Sequence, residues 1–517
     1  MSVAVAATKE PPMANTNDAS ANEITRKPWT VMIHMIADDP AGGELLDQQA
    51  NRELDEIIYA TLGGDRDSIY VAVQMDFRNQ PDVWRRVVGK GTWVQPESAA
   101  ADPSTLYGFF DWVATACPAY RYVLMFWGHS RGPFGLFTDR FSSLIGSQFA
   151  QDDLQSYVAQ TLTLRELRVA LRNARECLQQ NVDIIVFKDC FMSTLETAYE
   201  LKDSATYLIA SPDIVPIPGW PYAEMFKPLS LKKEAKDAAN SIVTTLHQHY
   251  SEGKNNYGRK VHYSLLDTSA LTNVSEPLAA VAKKLSEDQA LRKTLSTVTR
   301  GDAALADVGE LCKALRETTA STEAEALEKA LRAVVFNPAR TTLVELPNKA
   351  SLQISSSADP VSGVSVFFYP STKPELEKSL VAALASRSVY TELAIKSTGW
   401  DKVALDGMPA DPEPAASPYP ANGGSQLEMT NVLLPIALAQ LQRGILEEIA
   451  RSVMGFGKQI GFGKQIGFGK QIGFGKQIGF GKQIGFGKQI GFAAELRLAK
   501  ELRLFDPETP SHDEVET

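Results

Sequence analysis

Asp183 to Leu201 reads DIIVFKDCFMSTLETAYEL. Its first part, Ile184-Ile185-Val186-Phe187, is a continuous apolar run with the branched residues that a strand buried on both faces prefers. A polar break follows at Lys188-Asp189-Cys190, and the spacing of Met192, Leu195, Tyr199 and Leu201 then predicts a helix. Cys190 therefore falls at the carboxyl end of a strand, just ahead of a helix. In open α/β sheets that edge is where ligands and chemistry collect. A thiol near a helix N-terminus also has its thiolate favoured by the helix dipole.

Tyr120 to Trp127, YRYVLMFW, repeats the design: a buried strand that ends in Gly128-His129-Ser130-Arg131-Gly132. If the two strands are parallel neighbours, His129 and Cys190 emerge at one edge. A cysteine with a histidine able to take its proton is the minimal nucleophile–base pair. The same five residues fit G-x-S-x-G, the nucleophile elbow of α/β-hydrolases, which would make the protein a serine esterase acting through Ser130. That elbow must lead straight into a helix, and Pro133-Phe134-Gly135-Leu136-Phe137 is a poor start for one. A third class is a catalytically inactive scaffold that binds partners through its C-terminal region.

The chain of 517 residues is long enough for one large α/β core and an accessory region. Its 44% hydrophobic and 22% charged residues are those of a globular protein, and a net charge of −10 argues against a dedicated nucleic-acid binder. No apolar run has the length of a transmembrane segment. The first 28 residues lack a basic region followed by a solid apolar one, so they read as a disordered arm and not as a signal peptide. The four cysteines, Cys117, Cys177, Cys190 and Cys312, form no CxxC pair, which points to a reducing, cytoplasmic compartment.

Strands are expected at Thr30 to Ala37, Ile69 to Met75, Tyr207 to Ala210, Val261 to Asp267 and Gly363 to Pro370. A more exposed hairpin is expected over Val83 to Trp93, turning at Gly89-Lys90-Gly91. Helical spacing runs from Leu45 to Ile58 and from Leu106 to Ala116. A further helix opens with the capping box Thr163-x-x-Glu166. Thr138 to Thr161 is long, polar and aperiodic, a pattern that is usually functional or disordered. Ser211 to Tyr222, rich in proline, reads as a stiff surface loop. The organisation predicted is an arm (1–28), one catalytic domain (29–405), a Pro/Ala/Gly-rich linker (406–428), a helical segment (429–454), six GFGKQI hexapeptide repeats from Gly455 to Ile490, and a short helix with an acidic tail (491–517). Two glycines per repeat favour neither helix nor strand, so the repeats read as a basic, sticky spacer.

The pattern resembles the clostripain family of cysteine peptidases, in the caspase-like clan. The resemblance lies in WTVMIHMIADDP (from Trp29), YVLMFWGHSRGPFGLFTD (from Tyr122), VDIIVFKDCFMSTLETAYEL (from Val182), ASPDIVPIPGWPY (from Ala210), VSGVSVFFYP (from Val361) and YTELAIKSTGWDKV (from Tyr390). It implies an α/β fold, a caspase-like αβα sandwich around a mostly parallel sheet, with a C-terminal extension. It also implies cleavage of protein or peptide substrates through an acyl-enzyme. Carried over, Cys190 is the nucleophile and His129 the acid/base. The backbone N–H groups of Cys190 and Ser130 form the oxyanion hole, each commonly worth about 3 kcal/mol in the transition state. Relatives often have glycine at Ser130; serine supplies the same N–H provided its φ is not strongly positive.

Substrate-binding residues implied are Lys188, Asp213 and Trp220. The family commonly has aspartate two positions before the nucleophile, where it helps bind Arg or Lys, and here Lys188 stands there. A buried like charge would disfavour a basic substrate side chain and favour an acidic or uncharged one; Asp213 pulls the other way. Activation by cleavage is expected in the 138–161 loop, with Asp152 and Asp153 as self-cleavage points. Thiol chemistry needs no cofactor. Some relatives depend on calcium, for which Asp38, Asp39 and Glu44 offer oxygens. The setting this suggests is cleavage of an effector protein in stress or defence. The other histidines, His34, His247, His249 and His262, read as structural.

Overall fold

The computed structural model describes residues 24–38, 43–77, 82–96, 102–138, 161–216, 219–231, 234–251, 261–300, 304–336, 362–369 and 386–411. Asp39, Asp152, Asp153, the linker beyond residue 411, the GFGKQI repeats and the acidic tail lie outside these residues, as does the side chain of Glu44.

A nine-stranded sheet forms the spine. Its centre contains β1 (Lys27–Ile36), β2 (Ile69–Asp76), β5 (Ala119–Trp127), β8 (Val182–Phe187) and β9 (Ala205–Ala210), in the order β9-β8-β5-β1-β2 and all parallel. Both margins are antiparallel. On one side lies the hairpin of β3 (Asp82–Val87) and β4 (Thr92–Pro96); on the other lie β10 (Ser264–Asp267) and β13 (Val335–Phe336). The sequence suggests an exposed hairpin. Val83, Trp84 and Val87 are instead buried, because β3 extends the main sheet beside β2.

Alternation along each strand divides the core into two layers, since successive side chains point to opposite faces. Leu124, Phe126, Ile185, Phe187 and Leu208 pack with α2 (Pro103–Ala116), α3 (Leu164–Leu178), α4 (Leu195–Leu201) and α7 (Thr272–Glu287). Val123, Met125, Trp127, Ile184, Val186 and Ile209 face the other way, onto α1 (Gly43–Gly63), α5 (Tyr222–Ser230) and α6 (Ala235–Ser251). The result is an α/β sandwich with helices on both faces. No helix among the described residues is long and apolar enough to cross a membrane.

Local chemistry sets the boundaries. Helix α3 begins at the expected capping box: Thr163 Oγ1 accepts the Glu166 N–H at 3.2 Å, and the Glu166 carboxylate accepts the Thr163 N–H at 2.9 Å. Its apolar stripe of Leu164, Leu167, Leu171, Ala174 and Leu178 is buried. The strand expected at Gly363 to Pro370 forms as β14 (Ser365–Phe367) but does not join the main sheet. It closes a three-stranded sheet with β11 (Thr299–Arg300) and β12 (Leu305–Asp307). There it meets the start of α4, where the Ser365 N–H donates to Ser193 O at 2.9 Å.

Candidate active site

Strands β5 and β8 are hydrogen-bonded parallel neighbours, and Phe126 is the register partner of Phe187. Three residues past this pair stand His129 on one strand end and Cys190 on the other. The sheet topology thus brings the predicted pair to one edge. Two of the other thiols are poorly suited to nucleophilic work: burial pushes Cys117 and Cys312 up to about 12. Cys190 is only partly buried.

The thiol lies outside the first turn of α4. That helix starts at Leu195, its N-cap Thr194 accepts the Thr197 N–H at 3.1 Å, and Cys190 lies in the preceding turn. A dipole effect fades within the first turn. The N–H that reaches the sulfur is that of Val215, 3.3 Å from Cys190 Sγ. A backbone donor at that distance favours the thiolate. The same loop is tied to the nucleophile turn by the Phe191 N–H, which donates to Asp213 O at 3.1 Å. Phe191 sits at φ 59°, a left-handed conformation that costs a bulky residue about 1 kcal/mol or more and turns the chain sharply after Cys190.

Ser130 is buried, and its hydroxyl donates to the Cys190 carbonyl. It forms an isolated antiparallel bridge with Leu136, made by the Arg131 N–H to Gly135 O (2.8 Å) and the Phe137 N–H to His129 O (2.9 Å). The Ser130 N–H is outside that ladder. Ser130 is also not among the non-glycine residues with positive φ. The backbone condition for an oxyanion donor is therefore met, whereas the hydroxyl is engaged elsewhere. The G-x-S-x-G glycines serve packing. A Cβ on Gly128 would lie 2.9 Å from the Phe137 ring, and one on Gly132, at φ 59°, would lie 3.2 Å from Phe191 O. The chain then makes a three-residue 3-10 turn, Gly132–Phe134, and enters β6 (Leu136–Thr138), with no helix of the elbow kind.

Lys188 continues the alternation of Ile184 and Val186, so it enters the α1 side of the sheet. Its ammonium is ion-paired with Glu53 of α1 and lies 5.0 Å from the centre of the Trp127 ring. The two side chains are 3% and 0% exposed. Glu53 also accepts from Trp127 Nε1 (2.8 Å), Tyr222 OH (2.5 Å) and Gln49 Nε2 (3.2 Å). From the sequence Lys188 is expected to face the substrate side chain; here its ammonium is paired with Glu53. Next to it, Asp189 is fully buried, and neither carboxylate oxygen has a hydrogen-bond partner among the described residues. Burial holds that carboxyl well above the usual range, against the pull of Lys188.

The Asp213 carboxylate is bound by His262 Nδ1 at 3.0 Å. From the sequence His262 reads as structural; nothing local signals the contact, which spans 49 residues. Trp220 packs in the α1/α5/α6 core, 6.2 Å from both Tyr222 and Tyr263, so its ring is mostly buried. It also borders a cleft of about 910 Å³ between α1, α5 and α6, together with Arg52, Asp55, Glu56 and His249. Neither His129 nor Cys190 lines that cleft. Of the residues considered for calcium, Asp38 is described and buried. Among the described residues no group of three or more His, Cys, Asp or Glu is placed to hold a metal ion.

A sequence model of the clostripain family matches residues 34–370. Among solved structures, the chain is similar to a secreted C11 cysteine protease from Bacteroides thetaiotaomicron in complex with an irreversible peptide inhibitor. The identity is 20%, over 73% of this chain and 100% of that one, with a TM-score of 0.51. It is also similar to an inactive zymogen C11 protease from Parabacteroides distasonis, at 20% identity over 72% of this chain and 98% of that one, with a TM-score of 0.49. No curated protein matches the chain.

Proposed function

Because the chain belongs to the clostripain family of cysteine peptidases, we propose that it is an endopeptidase whose nucleophile is Cys190 and whose acid/base is His129. The observation that supports the assignment is the Phe126–Phe187 register, because His129 and Cys190 each follow that pair by three residues at the carboxyl ends of neighbouring strands. In this mechanism the Cys190 thiolate, favoured by the Val215 N–H, attacks the scissile carbonyl. The N–H groups of Ser130 and Cys190 receive the developing oxyanion. His129 delivers a proton to the leaving amine, and then takes one from the water that hydrolyses the thioester. All atoms of the step come from thiol, imidazole, peptide and water, so the chemistry calls for no cofactor.

The segment between β6 and β7 (Thr161–Leu162) is the proposed site of activation cleavage; Asp152 and Asp153 suit it only if an acidic residue is accepted before the scissile bond, which a reading carboxylate of Asp213 disfavours. Pairing of Leu136 with Leu162 anchors its two ends together, so a cut between them leaves the sheet intact. The scattered cysteines favour a reducing, cytoplasmic setting, with a protein effector as substrate. The test is a peptide library digested by wild type and by Cys190→Ala. Cleavage by the first and none by the second is expected.

The Lys188–Glu53 pair removes the argument for an acidic preference, and Asp213 becomes the charged group proposed to read the residue before the scissile bond. The esterase alternative loses ground to the engaged Ser130 hydroxyl.

A further inference from the structure

Two backbone contacts hold the 211–216 loop against the nucleophile: the Phe191 N–H to Asp213 O at 3.1 Å and the Val215 N–H to Cys190 Sγ at 3.3 Å. Asp213 is therefore anchored next to the reacting atom. Its carboxylate does not stand alone. Strand β10 runs antiparallel to β9 with Ser264 opposite Ala210, and continuing that register two residues brings His262 alongside the loop. There Nδ1 lies 3.0 Å from Asp213 Oδ2. The side chains are 11% and 16% exposed, so water replaces the contact poorly. A hydrogen bond to a charged group in such surroundings is among the stronger kind. The other charged side chain beside the nucleophile, Lys188, is committed to Glu53.

We infer that His262 is a specificity-determining residue of the peptidase: by holding the Asp213 carboxylate it lowers acceptance of arginine or lysine before the scissile bond relative to uncharged residues. This rests on the peptidase reading above and adds the substrate class. A basic side chain must displace the imidazole from the carboxylate or share the carboxylate with it. An uncharged side chain needs neither. Nδ1–H is a donor in the cation and in one neutral tautomer, so the competition does not depend on which is present. His247 of α6 is a neighbour, kept below its usual range by burial and then by His262, and so it adds little positive charge.

The test uses the full chain and two fluorogenic peptides that differ only in arginine or norleucine before the reporter. The quantity is the ratio of their kcat/KM values, in which the fraction of folded enzyme cancels. In His262→Ala the arginine/norleucine ratio should rise about tenfold. His262→Phe keeps a ring without the donor and should raise it too, which covers the case in which the alanine variant does not fold. His262→Asn can donate from its amide in place of Nδ1 and should stay near the wild-type ratio. With Asp213→Asn added, the rise in His262→Ala should vanish. An unchanged ratio in both His262→Ala and His262→Phe, with norleucine peptide still cut, overturns the inference while leaving the peptidase intact. Wild type that cuts neither peptide, and whose Cys190 takes no peptidyl electrophile, overturns the underlying reading instead.

Discussion

Cys190 stands as far beyond Phe187 as His129 stands beyond Phe126, and those two phenylalanines are register partners on adjacent parallel strands. The proposed nucleophile and proton partner thus each follow the end of a paired strand by two or three residues. Removing either should be severe, because they act as a unit. Cys190→Ala should abolish turnover, and His129→Ala should lower kcat by roughly 10² to 10⁴, the usual range for general acid–base catalysis. Ser130→Ala loses only the hydroxyl that donates to Cys190 O and should keep substantial activity. Steady-state kinetics on one peptide decides all three.

The Lys188–Glu53 pair should behave as a buried ion pair. Replacing one partner leaves a charge in the core and typically costs about 3–5 kcal/mol. Lys188→Met and Glu53→Gln should each fall in that range by denaturant unfolding. The double variant should recover much of the loss. A near-additive double variant would mean that the two charges do not depend on each other.

Glu196 of α4 supplies a pH signature. It accepts the Phe367 N–H at 2.8 Å and Tyr390 OH at 2.5 Å, yet burial outweighs these and raises its pKa from 4.5 to about 7. A carboxyl with a raised folded-state pKa is bound more tightly to its proton in the native state. Its contribution is therefore fully present below about 4.5 and is lost as pH climbs to about 7. Across that window, wild type should lose on the order of 3 kcal/mol relative to Glu196→Gln. Parallel unfolding curves of the two proteins at all pH values would contradict this.

Mass spectrometry of the purified protein should find a cut between Thr138 and Thr161 that Cys190→Ala lacks. A fully active, uncut chain would show that processing is not required.

Deleting Gly455 to Ile490 should leave hydrolysis of a short peptide nearly unchanged, since the repeats lie outside the matched domain and carry one lysine each. Their expected work is tethering or weak attraction to an acidic surface. A large fall in the rate would contradict the spacer reading.

Much of the catalytic edge is legible in the sequence because it rests on local signals. Branched apolar runs mark β5 and β8, and a change of period after Cys190 marks the helix. The face of Lys188 is also within reach: continuing the alternation from Ile184 and Val186 places it on the α1 side. Its partner is not, because Glu53 is 135 residues away and is one acid among several on α1. The Asp213–His262 contact and the pairing of β14 with β12 likewise depend on tertiary approach, for which no local pattern exists. The G-x-S-x-G match misleads for the opposite reason. A short motif fits, but Gly128 makes room for the Phe137 ring and Gly132 for the Phe191 backbone.

The most direct test is covalent labelling of the native protein with a peptidyl electrophile, followed by peptide mapping. The account predicts one adduct, on Cys190, lost in Cys190→Ala and retained in Ser130→Ala. An adduct on Ser130, or none on a folded protein that still cleaves peptides, would contradict it.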